Sequence, residues 1–471
     1  MSKLGRRSEL AKKTVILAIG KICTQCISFL LLPLYTAVLE TSEYGTFDLL
    51  MTYSALLLPI VNWQFDQGIF RFMLDLRSDE DKIRELFSTL FCSSAIQAVS
   101  YGIIFKIIGQ YFCIKNVYFL ILYVIQQIFI LLLLQFVRGL GKTVKYTIAS
   151  FISAVAMTIL NVVSLTILRM GLQGLFVSTL IAQNCTLIYL IFASKCWKYY
   201  SFKSIRIKIF KQVCAYSVPL IPNDLAWWVV NTSDRTIISY FLTTAANGIY
   251  SIANKFPNVF INFYNILNLS WTETVSLHYN DQDRDEFFSE TVTLFFKLFS
   301  AICFGIVAIM PFLFPVLVNE KYSLAYEHIL ILMYSMLFRV LVGLYSCIYV
   351  AQKNVKKIAC TSIAAAFINI TIDMLLIKKI QIFAASISTL VAFFTMFIVR
   401  YIDVNRTVHM KIQKSIIVGS IIIGSMLTVT YYCNNRSIQF LALCITVVYS
   451  VLTNIDILKT GIKVTKRYFV K

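Results

Sequence analysis

Charged residues are scarce in this sequence. They make up 14% of 471 residues, hydrophobic types make up 58%, and the mean hydropathy is +0.75; that balance excludes an ordinary soluble globular chain. Histidine is rarer still: His278, His328 and His409 are scattered along the chain and form no ligand or acid–base motif. The twelve cysteines do not make up for this, because most fall in apolar runs and Cys23 and Cys26 lack the second ligand pair of a zinc site. Glycine-rich phosphate loops and nucleophile elbows are missing too, so neither an ATP-driven motor nor an enzyme is expected. Acidic residues are the last shortage, 23 against 43 Lys plus Arg, for a net charge of +20. Nucleic acid would require that charge on one soluble face. Here it sits in short loops between apolar runs, and no nucleic-acid partner is expected.

Those runs define an all-α integral membrane protein. Each approaches the ~20 residues that cross a hydrocarbon core as a helix, and about fourteen transmembrane helices are expected. The first six run from Thr14 to Leu39, Tyr44 to Gln64, Arg84 to Ile108, Lys115 to Val137, Tyr146 to Leu168 and Gly171 to Ala193. The next six run from Val213 to Leu242, Asn247 to Val275, Phe287 to Val318, Ala325 to Val350, Lys356 to Ile377 and Gln381 to Asp403. Lys414 to Cys433 and Ile438 to Leu458 complete the set. Basic residues alternate between loops: Arg71, Arg77, Lys82 and Arg84, then Arg138, Lys142 and Lys145, then the linker from Ser194 to Gln212. With the basic start MSKLGRRSELAKK and the basic tail, this alternation places both termini in the cytoplasm. The first span lacks a small-residue cleavage site, so no removable signal peptide is expected. The basic loops also suit anionic membrane lipids.

The chain repeats itself in parallel orientation. PLYTAVLETSEYGTFDLLMTY, from Pro33, and TIISYFLTTAANGIYSIANKF, from Thr236, each end one span, turn, and begin another, with Gly45 opposite Gly248. GKTVKYTIASFISA, from Gly141, is likewise similar to QKNVKKIACTSIAA, from Gln352. Two six-helix lobes follow: residues 1–193 and 213–403, joined by the basic cytoplasmic linker 194–212. Residues 404–471 supply two C-terminal helices and a basic tail. Parallel repeats are related by an axis along the membrane normal, which places a central cavity between the lobes.

Polar residues inside the spans fall on stripes. An ionisable group near the bilayer centre costs roughly 2.5–3.5 kcal/mol on insertion scales, so it must face protein or water. Asp224, Asn231, Arg235 and Ser239 recur on one helical face of the seventh span. In the eighth, Asn247, Ser251, Asn254/Lys255, Asn258, Asn262, Asn265 and Asn268 do so over nearly its whole length. Asp48, Thr52 and Asn62 mark the second span, Lys21, Gln25 and Ser28 the first, and Ser335, Arg339, Gly343 and Ser346 the tenth. The repeat offset pairs Lys21 with Asp224. Asp234, Arg235 and Lys255 are expected at one depth, as a net positive site.

SDRTIISYFLTTAANGIYSIANKF, LPLYTAVLETSEYGTFDLL and FDQGIFRFML, from Phe65, together resemble the polysaccharide-transporter, or Wzx-like oligosaccharide flippase, family of the multidrug/oligosaccharidyl-lipid/polysaccharide (MATE-like) exporter superfamily. The resemblance implies a two-lobed helical bundle in a bacterial inner membrane. Its substrate would be an oligosaccharide repeat unit on undecaprenyl pyrophosphate, flipped to the outer leaflet by alternating access for surface polysaccharide such as O-antigen, capsule or exopolysaccharide. A polysaccharide polymerase and a chain-length regulator are the implied protein partners. Lys21, Arg235, Lys255 and Arg339 would meet the pyrophosphate, Asp224 and Asp234 would hold those cations in the empty state, and Asp66 and Arg71 would form a cytoplasmic gate. No cofactor is expected; H+, Na+ or the membrane potential would drive transport, with Asp48 and Asp224 as candidate ion carriers. Other lipid-linked precursors such as lipid II, and cation-coupled drug export, are the alternatives. A membrane glycosyltransferase or polymerase would carry a long external loop, which this sequence lacks.

Overall fold

The structure, a computed structural model, describes residues 29–76, 79–112, 115–352, 354–433, 435–456 and 459. The described residues form helices and no strands. Among the described residues, eleven helices are long and apolar enough to cross a membrane: this is a multi-pass membrane protein. The first expected span lies mostly outside the described residues, and its end appears as α1 (Leu32–Val38). The seventh and eighth are helical but too polar to join the eleven, because they carry the stripes.

The chain divides into two compact units, Met1–Ser239 and Tyr240–Lys471. In the first, α2 (Thr41–Asn62), α3 (Phe65–Leu76), α4 (Glu80–Tyr111), α5 (Val117–Gly139), α6 (Thr143–Val162) and α7 (Gly171–Ser194) precede α8 (Ile207–Ser217) and α9 (Ile221–Phe241). Helix α5 is the buried centre of this unit, packed by α2, α3, α4, α6 and α7. Phe136 of α5 packs against Phe87 of α4, with the rings tilted and their centroids 4.4 Å apart. Where the sequence reads as a basic loop after the second span, the chain forms α3, whose Phe65, Ile69 and Met73 lie one turn apart and are fully buried in the same core. Gly68 lets α3 lie directly on α8: a Cβ there would collide with Ser217 and Val213.

The seventh span is not one helix. Pro219 and Pro222 remove backbone donors, and the segment breaks into α8, a 3-10 turn at Val218–Leu220, and α9. The fifth span ends in a π turn, Val163–Ile167.

The second unit contains α10 (Thr244–His278), α11 (Arg284–Leu317), α12 (Ala325–Ala351), α13 (Val355–Ile380), α14 (Ile382–Val404), α15 (Lys414–Tyr431) and α16 (Arg436–Thr453). Helix α12 is its buried centre, packed by α10, α11 and α14, while α15 and α16 lie on α11. Tyr264 of α10 sits against Gly343 of α12, where a Cβ would overlap the phenol. Glu40 and Thr243, equivalent under the repeat offset, are the N-caps of α2 and α10. Glu40 forms a reciprocal capping box with Glu43, and the Thr243 hydroxyl accepts from the Ala246 N–H at 3.0 Å. The repeated motif therefore spells a helix start, and its Thr or Glu satisfies backbone donors that lipid could not.

Candidate functional site

In the first unit the polar faces of α2 and α9 meet. Arg235 Nη1 donates to Asp48 Oδ1 at 3.1 Å and to Thr52 Oγ1 at 3.4 Å. Asp48 and Thr52 are one turn apart, so a single guanidinium nitrogen reaches both. Trp228 clamps the pair of helices by donating its indole N–H to the Thr52 carbonyl at 2.9 Å. Arg235 and Asp48 are only 17% and 12% exposed. The carboxylate that holds Arg235 is thus Asp48, where the sequence suggested Asp224 or Asp234. Asp234 precedes Arg235 by one residue, about 100° around the helix, and is itself buried. Among the described residues, Arg235 Nε and Nη2 have no hydrogen-bond partner, which leaves the guanidinium able to take a second anion.

Asn231 shares this face and donates to the Trp227 carbonyl at 2.6 Å, while its buried Oδ1 has no partner among the described residues.

A second cluster lies at the start of α9, about 16 Å from Arg235 along the helix. Gln64 donates to Asp224 Oδ2 at 2.7 Å and Asn223 to Oδ1 at 3.3 Å. Asp66 accepts from Asn62 at 3.1 Å and from Gln67 at 3.3 Å. Trp63 and Gln64 both have positive φ, 51° and 56°, so the α2–α3 turn aims Gln64 sharply back at α9. Burial pushes the Asp66 carboxyl up to about 6, against the backbone N–H groups of Asp66 and Gln67 that pull it down, with the Asp224 carboxylate raising it further. The other residue of the expected gate is placed elsewhere: Arg71 is exposed and pairs with Asp75 at 2.8 Å. Arg71 is five residues past Asp66 on α3, more than a full turn, so the two do not share a face.

The remaining candidates belong to the second unit. Ser251 is buried, Lys255 and Asn262 are half-buried and Asn258 is exposed, all on α10. Asn268, on the same stripe, accepts the Tyr264 hydroxyl at 2.8 Å. Arg339 is half-buried on α12, with its guanidinium 5.6 Å from the Phe393 ring. Lys21 and Gln25, and with them the Lys21–Asp224 pairing, lie outside the described residues.

Some polar groups escape a reading of the sequence. Trp228 completes the spacing Asp224, Trp228, Asn231, Arg235, but an indole counts as apolar in any hydropathy pattern. Arg400, near the end of α14, is almost fully buried. It donates to Thr361 at 2.8 Å and Ser362 at 3.1 Å, and also to Ser346. Ser346, placed on the α12 stripe from its spacing, serves this buried arginine. A lone arginine near a span end looks like a snorkelling interface residue; only its neighbours distinguish the two cases.

Solved structures similar in fold include a lipid II flippase, MurJ, in an inward closed conformation, with a TM-score of 0.71 and 15% identity over 95% of this chain and 100% of that one. An inward-facing multidrug resistance MATE family transporter of the MOP superfamily gives a TM-score of 0.63 and 12% identity over 83% and 98%. A variant of the Vibrio cholerae MATE transporter VcmN gives 0.56 and 14% over 85% and 97%. No curated protein matches the sequence. At these identities the likeness is one of fold, that of MATE and MurJ transporters, in agreement with the all-helical architecture expected. The sequence goes further, because residues 10–271 match the polysaccharide biosynthesis protein family. That stretch spans α2 and α9 with the Asp48–Arg235 pair, and the chain belongs to the polysaccharide biosynthesis protein family.

Proposed function

We propose that this protein is a flippase that carries an oligosaccharide repeat unit on undecaprenyl pyrophosphate across a bacterial inner membrane by alternating access. The observation that carries the reading is Arg235: sheltered within a span, anchored through Nη1 alone, and with Nε and Nη2 left to grip a phosphoryl oxygen. Asp48 orients the fork and balances its charge while no substrate is bound. The amide-rich face of α10 suits sugar hydroxyls, since each Asn side chain both donates and accepts. An inside-negative potential would favour export of the diphosphate by about 2.3 kcal/mol per charge per 100 mV. Another lipid-linked precursor, lipid II among them, is the second reading, favoured by a fold likeness to a lipid II flippase over 95% of the chain. Both readings place a polyprenyl diphosphate at Arg235.

The test is made in cells that depend on this chain. At matched protein level, Arg235→Gln is expected to accumulate lipid-linked precursor and to deplete surface polysaccharide. Arg235→Lys, which keeps the charge and loses the planar fork, should fall between. Normal transport by Arg235→Gln refutes the assignment. Which precursor accumulates separates the two readings.

A further inference from the structure

We propose that the first unit carries a second anion site, distinct from Arg235, that binds a phosphate-bearing group where α4 begins, α6 begins and α7 ends. A cavity of about 400 Å³ lies there, and Arg84, Lys142, Lys195 and Lys198 line it together with Glu80 and Tyr199. Four cations therefore face one carboxylate. Among the described residues no acidic side chain pairs with Lys142, Lys195 or Lys198, and Arg84 reaches only the exposed Asp81, at 3.7 Å.

The backbone adds to the positive field. Lys142 is the N-cap residue of α6, a helix start with no side-chain cap and no acidic residue in its first turn, so the dipole of α6 goes unbalanced by any acid there. Lys195 follows α7 in a left-handed conformation with φ 55°, which fixes it at the turn instead of letting it extend away. Neighbouring Lys145 is already committed to the Ala193 carbonyl at 3.0 Å. Burial, with Lys145 and Lys195 nearby, lowers the pKa of Lys142.

Positive-inside topology by itself requires basic residues in a loop; it does not require three separated chain segments to aim theirs into one recess. Unpaired ammonium groups so close together repel, and a multiply charged oxyanion relieves that repulsion while accepting several charge-assisted hydrogen bonds. The ligand chemistry is a phosphate oxyanion, from an anionic phospholipid headgroup in the bilayer or from free inorganic phosphate.

The full chain is reconstituted in nanodiscs of phosphatidylcholine, with or without phosphatidylglycerol. Retained lipid is read by native mass spectrometry, and inorganic phosphate is titrated into the neutral discs. Lys142→Gln, Lys195→Gln and Lys198→Gln combined are expected to weaken anion binding by at least about tenfold. Lys203→Gln, Lys208→Gln and Lys211→Gln combined remove the same charge from exposed positions and should leave binding nearly unchanged. Selective loss of retained phosphatidylglycerol identifies a lipid site, and selective loss of inorganic phosphate binding identifies a soluble ligand. No binding of either by the wild type, or equal loss in both triple variants, overturns the proposal. Should the cavity variant fail to fold, wild-type lysines are acetylated with and without each anion. Protection of Lys142, Lys195 and Lys198 over Lys208 supports the site, and uniform labelling overturns it.

Discussion

If Asp48 serves to present Arg235 to a substrate, stability and transport should separate when the pair is replaced. The two charges sit 3.1 Å apart at their nearest atoms and are largely sheltered from solvent. With charge centres about 4 Å apart and an effective dielectric near 20, their attraction is about 4 kcal/mol. Removing Asp48 leaves the sheltered Arg235 guanidinium without its carboxylate, which costs about 3–5 kcal/mol. Asp48→Ala should destabilise by about that much, and Arg235→Ala should destabilise as well. Their combined change should cost well under the sum, with a coupling of about 1–3 kcal/mol. The informative variant is Asp48→Leu with Arg235→Met, which replaces the ion pair by apolar groups of similar size. Such exchanges are often neutral or stabilising, so this protein should unfold at or above the wild-type temperature and still fail to transport. Thermal unfolding in detergent and precursor accumulation in cells are the paired measurements. A stable double variant that transports normally would show the pair to be a helix clamp, and the reasoning would fail. Additivity of the two alanine changes within about 0.5 kcal/mol would refute the contact itself.

Three further outcomes follow from the packing. Asp66 titrates near 6 in the folded state and near 3.9 unfolded, so its contribution is fully present below about pH 4 and is lost as pH rises through 6. Asp66→Asn should therefore raise stability at pH 7.5 by up to roughly 3 kcal/mol and change little at pH 4; a pH-independent difference would contradict the burial argument. Gly343→Ala places a methyl group against the buried Tyr264 ring and should cost about 1–3 kcal/mol, with partial recovery on adding Tyr264→Leu; unchanged unfolding of the single variant would refute the close approach. Arg400→Lys cannot reproduce a fork that reaches Thr361, Ser362 and Ser346 together, and should lower stability by about 1–3 kcal/mol for the hydroxyls left unpaired; wild-type unfolding of this variant would show the network to be dispensable.

The polar stripes were legible because helical periodicity is a property of one chain segment. Asp224, Asn231 and Arg235 repeat on one face in the sequence, and the structure places α9 as the helix that carries them. Amphipathic α3 is not legible in the sequence for an equally local reason: Arg71, Asp75 and Arg77 resemble loop charge, and twelve residues are too few to register as a span. Its identity as a helix depends on a groove beside α5 and on the missing side chain of Gly68.

Hydropathy, charge alternation and stripe spacing were therefore enough to determine a multi-pass helical protein with polar faces inside its membrane spans, because lipid imposes those rules on each segment separately. Partnership was decided only by tertiary structure. Asp48 holds Arg235, Gln64 reaches Asp224, and Arg400 is buried among hydroxyls because helices distant in sequence pack side by side. A side chain's charge is written in its own residue, whereas which neighbour compensates that charge depends on rotation about two helix axes and on where a proline or a left-handed turn redirects the chain.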